Sequence, residues 1–154
     1  MIRKFVDKVV SAISVPSSEE ESTEDREHAL RLATAVLMID VARADHLFDE
    51  NEFDRILELI SKHFDLDAED TAELIVAAHE RSEDAVSAYE FTRLLHDNLD
   101  EREKSSIVSL LWQVAYADGE LDKYEDSFVL TISDLLHVSR ARVMRLKHDA
   151  SGAA

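Results

Sequence analysis

The 154-residue chain contains no cysteine, one proline and two glycines. The absence of cysteine excludes disulfides and thiolate-bound metal sites. β-Hairpins depend on glycine-containing turns, so a chain with so little glycine and proline has almost no material for them. Alanine, leucine, glutamate and arginine are abundant and favour helix. The sequence therefore predicts an all-α protein.

Positive charge is also scarce, because 17 lysines and arginines stand against 34 aspartates and glutamates, giving a net charge of −17. Nucleic-acid binding depends on clustered Lys and Arg, so we expect no nucleic-acid partner and favour cations and basic proteins instead. No apolar run approaches the roughly 20 residues that span a membrane. The stretch from Met1 to Val15 is interrupted by Asp7 and Lys8 and does not match a secretory signal. We expect a cytoplasmic protein.

Motifs for catalysis are missing from the sequence. It contains no glycine-rich phosphate loop, no zinc-protease motif and no nucleophile beside a base motif. We therefore expect a non-catalytic protein, with no catalytic residue and no organic cofactor.

The first 22 residues differ from the rest of the chain. Apolar residues recur at helical spacing over residues 2–13 and predict a short amphipathic helix with a local surplus of positive charge. Residues 14–22 are rich in serine and glutamate and predict a solvated linker. The helix either makes peripheral contact with an anionic membrane or an acidic surface, or docks on the core of its own chain. Residues 23–154 are predicted to form one helical domain.

An internal repeat organises this domain. Two acidic corners between predicted helices, Asp45 to Glu52 and Asp118 to Glu125, match at an offset of 73 residues. After the second helix of each copy, Phe64–Asp67 matches Leu136–Ser139 at an offset of 72. The change from 73 to 72 indicates a one-residue slip, so that the second copy is one residue shorter at this point. Each copy has the order helix, acidic corner, helix, short turn, helix. We predict a single bundle of about seven to eight helices, made of two duplicated three-helix units with the N-terminal amphipathic helix.

The carboxylates of the corners have two possible roles. Asp49 and Asp122 are placed to cap the helices that follow, with Glu52 and Glu125 reaching back, and such a cap contributes about 1 kcal/mol. Asp45 and Asp118 end the preceding helices, where the helix dipole disfavours a negative charge by roughly 0.3–1 kcal/mol. A bound Ca²⁺ or Mg²⁺ would reverse this penalty, and oxygen-only ligands suit such hard cations. The spacing leaves capping and cation binding both open.

The paired Ala-x-Ala-Asp-(Gly)-x-x-Asp-x-x-Glu corners resemble those of the tellurite-resistance TerB family, over about Glu24 to His148. The first corner has His46 where the motif has glycine. The resemblance implies a compact helical bundle with acidic residues on one face, proposed to bind divalent metal, and association with bacterial stress and membrane-linked complexes. The metal-site candidates that it implies are Asp118, Asp122, Glu125, Asp45, Asp49 and Glu52.

Two functions follow from these patterns. In the first, the protein is a TerB-like, non-catalytic stress-response domain of the tellurite-resistance type that binds divalent cations through its corners. In the second, it is a protein-interaction adaptor with an acidic face and no metal site. Trp112 and Tyr116, spaced four residues apart, are either a partner-binding patch or a helix-packing pair.

Overall fold

The computed structural model describes residues 23–44, 50–84, 88–117 and 119–152, and in these ranges the chain forms helices and no strands. The all-α prediction is confirmed. The predicted amphipathic helix at residues 2–13 and the linker that follows it lie outside the described residues. The helices are α1 (Thr23–Ala42), α2 (Glu50–Phe64), α3 (Ala68–Asp84), α4 (Tyr89–Asn98), α5 (Glu101–Ala115), α6 (Lys123–Leu135) and α7 (Arg140–Ala150).

Helix α1 is the centre of the bundle. Every residue from 32 to 39 is buried, so the helix is enclosed on all sides rather than along one stripe. It packs against α2, α3, α4, α5 and α6. None of the described helices is long and apolar enough to cross a membrane.

Helix α5 is the second buried element, and it packs on α1, α2, α6 and α7. Trp112 in α5 is completely buried, and its indole Nε1 donates a hydrogen bond of 3.2 Å to the Val143 carbonyl in α7. The Lys147 ammonium lies 5.3 Å from the centre of the indole ring. Trp112 is therefore a helix-packing residue, and the alternative of a partner-binding patch built on it is wrong.

The sequence predicts helix caps at Asp67, Asp100 and Ser139, and the structure has a side-chain cap at each of them. Asp67 accepts a hydrogen bond of 2.8 Å from the Asp70 amide at the start of α3. A complete capping box begins α5, where the Glu103 amide donates to Asp100 and the Asp100 amide donates to the Glu103 side chain. At the start of α7 the Ser139 hydroxyl accepts a hydrogen bond of 3.3 Å from the Arg142 amide.

One predicted helix boundary is wrong. The sequence predicts a short connection from Ser82 to Val86 and a cap for α4 at Ser87, but α3 continues to Asp84. The Ser82 hydroxyl donates to the Asp40 carboxylate of α1, which fixes the last turn of α3 against the central helix. The predicted cap of α4, Ser87, lies outside the described residues.

The ends of α2 and α6 have the same backbone geometry. Among the described residues, the non-glycine residues with positive φ are Asp65 and His137, at 53° and 61°, and they are 72 positions apart. The next amide, at Leu66 or Val138, bonds to a carbonyl five residues earlier, at 3.0 and 3.1 Å respectively. This is the Schellman type of helix end. It agrees with the predicted one-residue slip, while duplication of the whole three-helix unit stays a prediction.

Candidate acidic site at the helix corners

Three of the six predicted ligands lie in the described part of the chain, namely Glu52, Asp122 and Glu125. Asp45, Asp49 and Asp118 lie outside it. Within the described ranges, no three His, Cys, Asp or Glu side chains are grouped so that they could hold a metal ion. A site at either corner therefore depends on at least one aspartate that the structure does not describe.

Asp122 is the N-cap of α6, as predicted. Its carboxylate accepts a hydrogen bond of 2.7 Å from the Tyr124 amide. Gly119, earlier in the same corner, has φ of 89°, a left-handed conformation that strains any residue with a Cβ. Its amide donates to the Tyr116 carbonyl at 2.9 Å and continues the turn at the end of α5.

Glu52 and Glu125 occupy equivalent places, since each is the third residue of its helix. Their relative exposures are only 2% and 1%. Glu103, the glutamate of the capping box at α5, is exposed instead. Carboxylates are rarely buried to this extent unless hydrogen bonds, an opposite charge or a metal compensates the lost hydration. Capping alone therefore does not explain why these two are enclosed.

The apolar pattern of each helix contains a signal for this burial that the sequence analysis missed. The buried residues of α2 are Glu52, Ile56, Leu59 and Ile60, and those of α6 are Glu125, Val129, Ile132 and Ser133. Both sets follow the i, i+4, i+7, i+8 spacing of one helix face. Each glutamate thus belongs to the face that packs on the core.

The helix ends next to the two corners lie close to each other. Arg55, in the second turn of α2, donates a hydrogen bond of 3.2 Å to Gln113 in the last turn of α5. Helix α2 follows the first corner and α5 precedes the second. The start of one helix therefore lies against the end of the other, and the described residues that flank both corners are at the same end of the bundle.

A polar cleft of about 490 Å³ lies at this contact, lined by residues from α2, from the end of α5 and from the end of α7. Arg55 lines the cleft and also forms an ion pair of 2.8 Å with Glu58. Tyr116 and Ala117, which lead into the second corner, form part of its wall. Arg55 is thus the positively charged residue among those that line the cleft, and its charge is paired with Glu58.

A further acidic group, Asp40, lies near the end of α1, and the sequence analysis did not single it out. Partial burial raises the pKa of Asp40, while the hydrogen bond from Ser82 and the charge of Arg43 lower it to a smaller extent. The Arg43 guanidinium also contacts the Ser82 hydroxyl at 3.4 Å. The signal for it was present in the sequence, since Asp40 interrupts the apolar run from Ala35 to Val41.

The sequence profile of the family described as tellurite resistance protein TerB matches residues 31–148. No curated protein and no solved structure shows significant similarity to the chain. The match covers far more than half of the 154 residues and includes both acidic corners. The chain therefore belongs to the TerB family of tellurite resistance proteins.

Proposed function

We propose that the protein is a non-catalytic, cytoplasmic domain of the tellurite-resistance type that binds divalent cations through its two acidic corners during a stress response. The observation that carries this proposal is the near-complete burial of Glu52 and Glu125 at equivalent places in two helices. Membership of the TerB family supports the tellurite-resistance class.

A divalent cation would offset the energetic cost of these glutamates. A buried carboxylate loses its hydration, which raises the free energy of the folded state. A hard cation with oxygen ligands would add a favourable interaction with the carboxylate. In the proposed site, Glu52 and Glu125 are ligands held rigidly by helix packing. The other ligands are Asp45 and Asp49 at the first corner, and Asp118 and Asp122 at the second.

The capping role of Asp122 is compatible with this proposal. Its carboxylate accepts one hydrogen bond from the Tyr124 amide. A carboxylate has two oxygens and about four acceptor positions, so one residue can cap a helix and bind a cation. The contact between Arg55 and Gln113 holds the two helix ends together and supports a cooperative arrangement of the corners.

Thermal melting of the metal-free protein with and without Ca²⁺, Mg²⁺ or Mn²⁺ tests the proposal. We expect at least one ion to raise the melting temperature of the wild type, because an ion that binds only the folded state stabilises it. The paired variant E52Q/E125Q should lose this increase. E103Q is the matched control, since Glu103 lies at the same place in a capped helix but is exposed, and it should keep the increase.

A second candidate function is supported by the cap at α6. The Asp122–Tyr124 hydrogen bond accounts for that carboxylate without a cation. In this case the corners are helix starts, and the net charge of −17 serves to bind a basic protein partner. The adaptor function predicts that E52Q/E125Q changes the melting temperature by the same amount in chelator and in millimolar cation.

A further inference from the structure

An apolar groove of about 290 Å³ opens between α1, α2, α4 and α5. None of the residues that line it belongs to the acidic corners. Five apolar side chains line it: Leu30, Phe64, Leu95, Leu99 and Ile107. Leu30, Phe64 and Leu99 are only partly buried, so the groove presents apolar surface in the described part of the chain. Sites for drug-sized ligands measure about 300–1,000 Å³, so this groove is better suited to a few side chains of a peptide.

We propose that residues 2–13 of this same chain occupy the groove and dock there as an amphipathic helix. These residues lie outside the described ranges, and their sequence places Ile2, Phe5, Val6, Val9, Val10 and Ile13 on one helical face. A helix of this kind inserts apolar side chains at i, i+3, i+4 and i+7 into a groove on its partner. The proposal is independent of cation binding at the corners.

The place where residues 14–22 join the helical domain supports docking of residues 2–13 in the groove. Helix α1 begins at Thr23, and four groove residues, at positions 27, 30, 31 and 34, lie within its first twelve residues. Leu30 is about 10 Å along the helix from Thr23 at 1.5 Å per residue. Residues 14–22, when extended, reach about 30 Å. The tether therefore spans the distance easily, and a short tether gives an effective concentration in about the millimolar range.

The charges of the two surfaces are also complementary. Residues 2–13 contain Arg3, Lys4 and Lys8 against the single acidic residue Asp7, whereas the whole chain has a net charge of −17. At the groove, Glu27 is well exposed and Arg31 is already engaged with it at 3.7 Å. Exposed Glu103 also lines the groove, so basic residues on the polar face of the docked helix would meet two carboxylates and one guanidinium.

Besides Glu27, Arg31 and Glu103, the groove is lined by one further ionisable group, His63, which does not oppose a basic segment. His63 lines the groove, and its ring lies edge-on to the Phe64 ring at 4.7 Å. Partial burial lowers the pKa of His63 below its ordinary value of 6.5, so the ring is neutral at neutral pH. An apolar helix face can therefore pack beside it without facing a positive charge.

Paramagnetic relaxation measured by NMR on the full chain tests this docking. The chain has no native cysteine, so a nitroxide can be attached at one engineered site, K62C, which is exposed and directly precedes the groove residues His63 and Phe64. We expect this label to attenuate the amide signals of Phe5, Val6 and Val9. The variant V9D should restore these signals, while D7N on the polar face should not. A label at E80C on α3, which contributes no groove residue, is the position control.

A second variant changes the groove instead of residues 2–13. Ser106 lines the groove, and S106W should fill it and release residues 2–13, whereas S106A leaves it open. The proposal expects S106W to restore the attenuated signals and to increase co-sedimentation with vesicles of phosphatidylserine and phosphatidylcholine, because the released apolar face can then bind lipid. Equal attenuation in wild type, V9D and S106W would overturn the proposal. Clear vesicle binding by the wild type that S106W does not increase would also overturn it and would assign residues 2–13 to the membrane.

Discussion

Glu52 and Glu125 are 73 positions apart, each is the third residue of its helix, and both are almost completely buried. The same residue type, helix position and burial thus occur in α2 and in α6. A carboxylate that served only as a cap would resemble Glu103, which caps α5 from an exposed position. The paired burial is the main structural reason to assign a binding role to the acidic corners.

The first prediction concerns the stability of the protein without cation. In chelator, E125Q should raise the free energy of unfolding by on the order of 1 kcal/mol, because a neutral amide costs less to bury than a carboxylate. E103Q should lower it by a few tenths to about 1 kcal/mol, because it weakens an exposed capping box. Urea denaturation in EDTA measures both. A loss of stability in E125Q equal to that in E103Q would show that Glu125 acts as an ordinary cap.

The second prediction separates capping from cation binding. Asp100 and Asp122 both cap helices through their carboxylates, at α5 and α6 respectively. D100A and D122A should each cost about 1 kcal/mol of stability in chelator, since each loses one cap. Only D122A should also lose the increase in melting temperature that cation produces. If both variants keep that increase, Asp122 is not a ligand.

The fold was largely predictable from the sequence because local signals agreed with one another. Scarcity of glycine and proline excluded hairpins, and capping residues such as Asp67 and Asp100 marked helix starts that the structure confirms. The extent of α3 was missed because Ser82 has a residue type common in turns. Its hydroxyl instead bonds to Asp40 on a helix 42 positions earlier in sequence, a contact that no local pattern reveals.

The acidic residues of the candidate site could be predicted from the sequence, but their burial could not. Residue spacing identified Glu52 and Glu125 as members of acidic corners, yet it did not distinguish them from exposed caps. Their burial depends on how α2 and α6 pack on the two central helices. The contact between Arg55 and Gln113, which brings the helix ends together, joins residues 58 positions apart and required the structure.

The third prediction concerns the end of α2. Asp65 has φ of 53°, a conformation that glycine adopts without steric cost. D65G should therefore stabilise the protein by up to about 1 kcal/mol, and D65A should destabilise it by a similar amount, because alanine in this conformation is strained. Urea denaturation of the two variants and the wild type measures the difference. A stability ranking with alanine above glycine would contradict a left-handed residue at this position.

The fourth prediction concerns pH. Because burial raises the pKa of Asp40 above its ordinary value of 3.8, the folded state binds this proton more readily than the unfolded state. The contribution of Asp40 to stability therefore falls as pH rises from about 3.8 through the raised pKa, and it stays unfavourable at neutral pH. D40N keeps an acceptor for Ser82 and removes the charge. It should be more stable than wild type at pH 7.

Melting temperatures of D40N and wild type across the acidic range check this expectation. The difference between them should shrink as pH falls and Asp40 becomes protonated. E73Q provides a control, since it removes a carboxylate charge from an exposed site on α3. A difference between D40N and wild type that is constant with pH would mean that the Asp40 charge is not the cause.

Calorimetric titration of divalent cation into chelator-treated protein tests the central claim most directly. The account predicts saturable heat with Ca²⁺, Mg²⁺ or Mn²⁺ for the wild type and for E103Q, and loss of that heat in E52Q/E125Q and in D118N/D122N. Absence of saturable heat in the wild type with all three ions would contradict the account. An unchanged isotherm in E52Q/E125Q would contradict it equally.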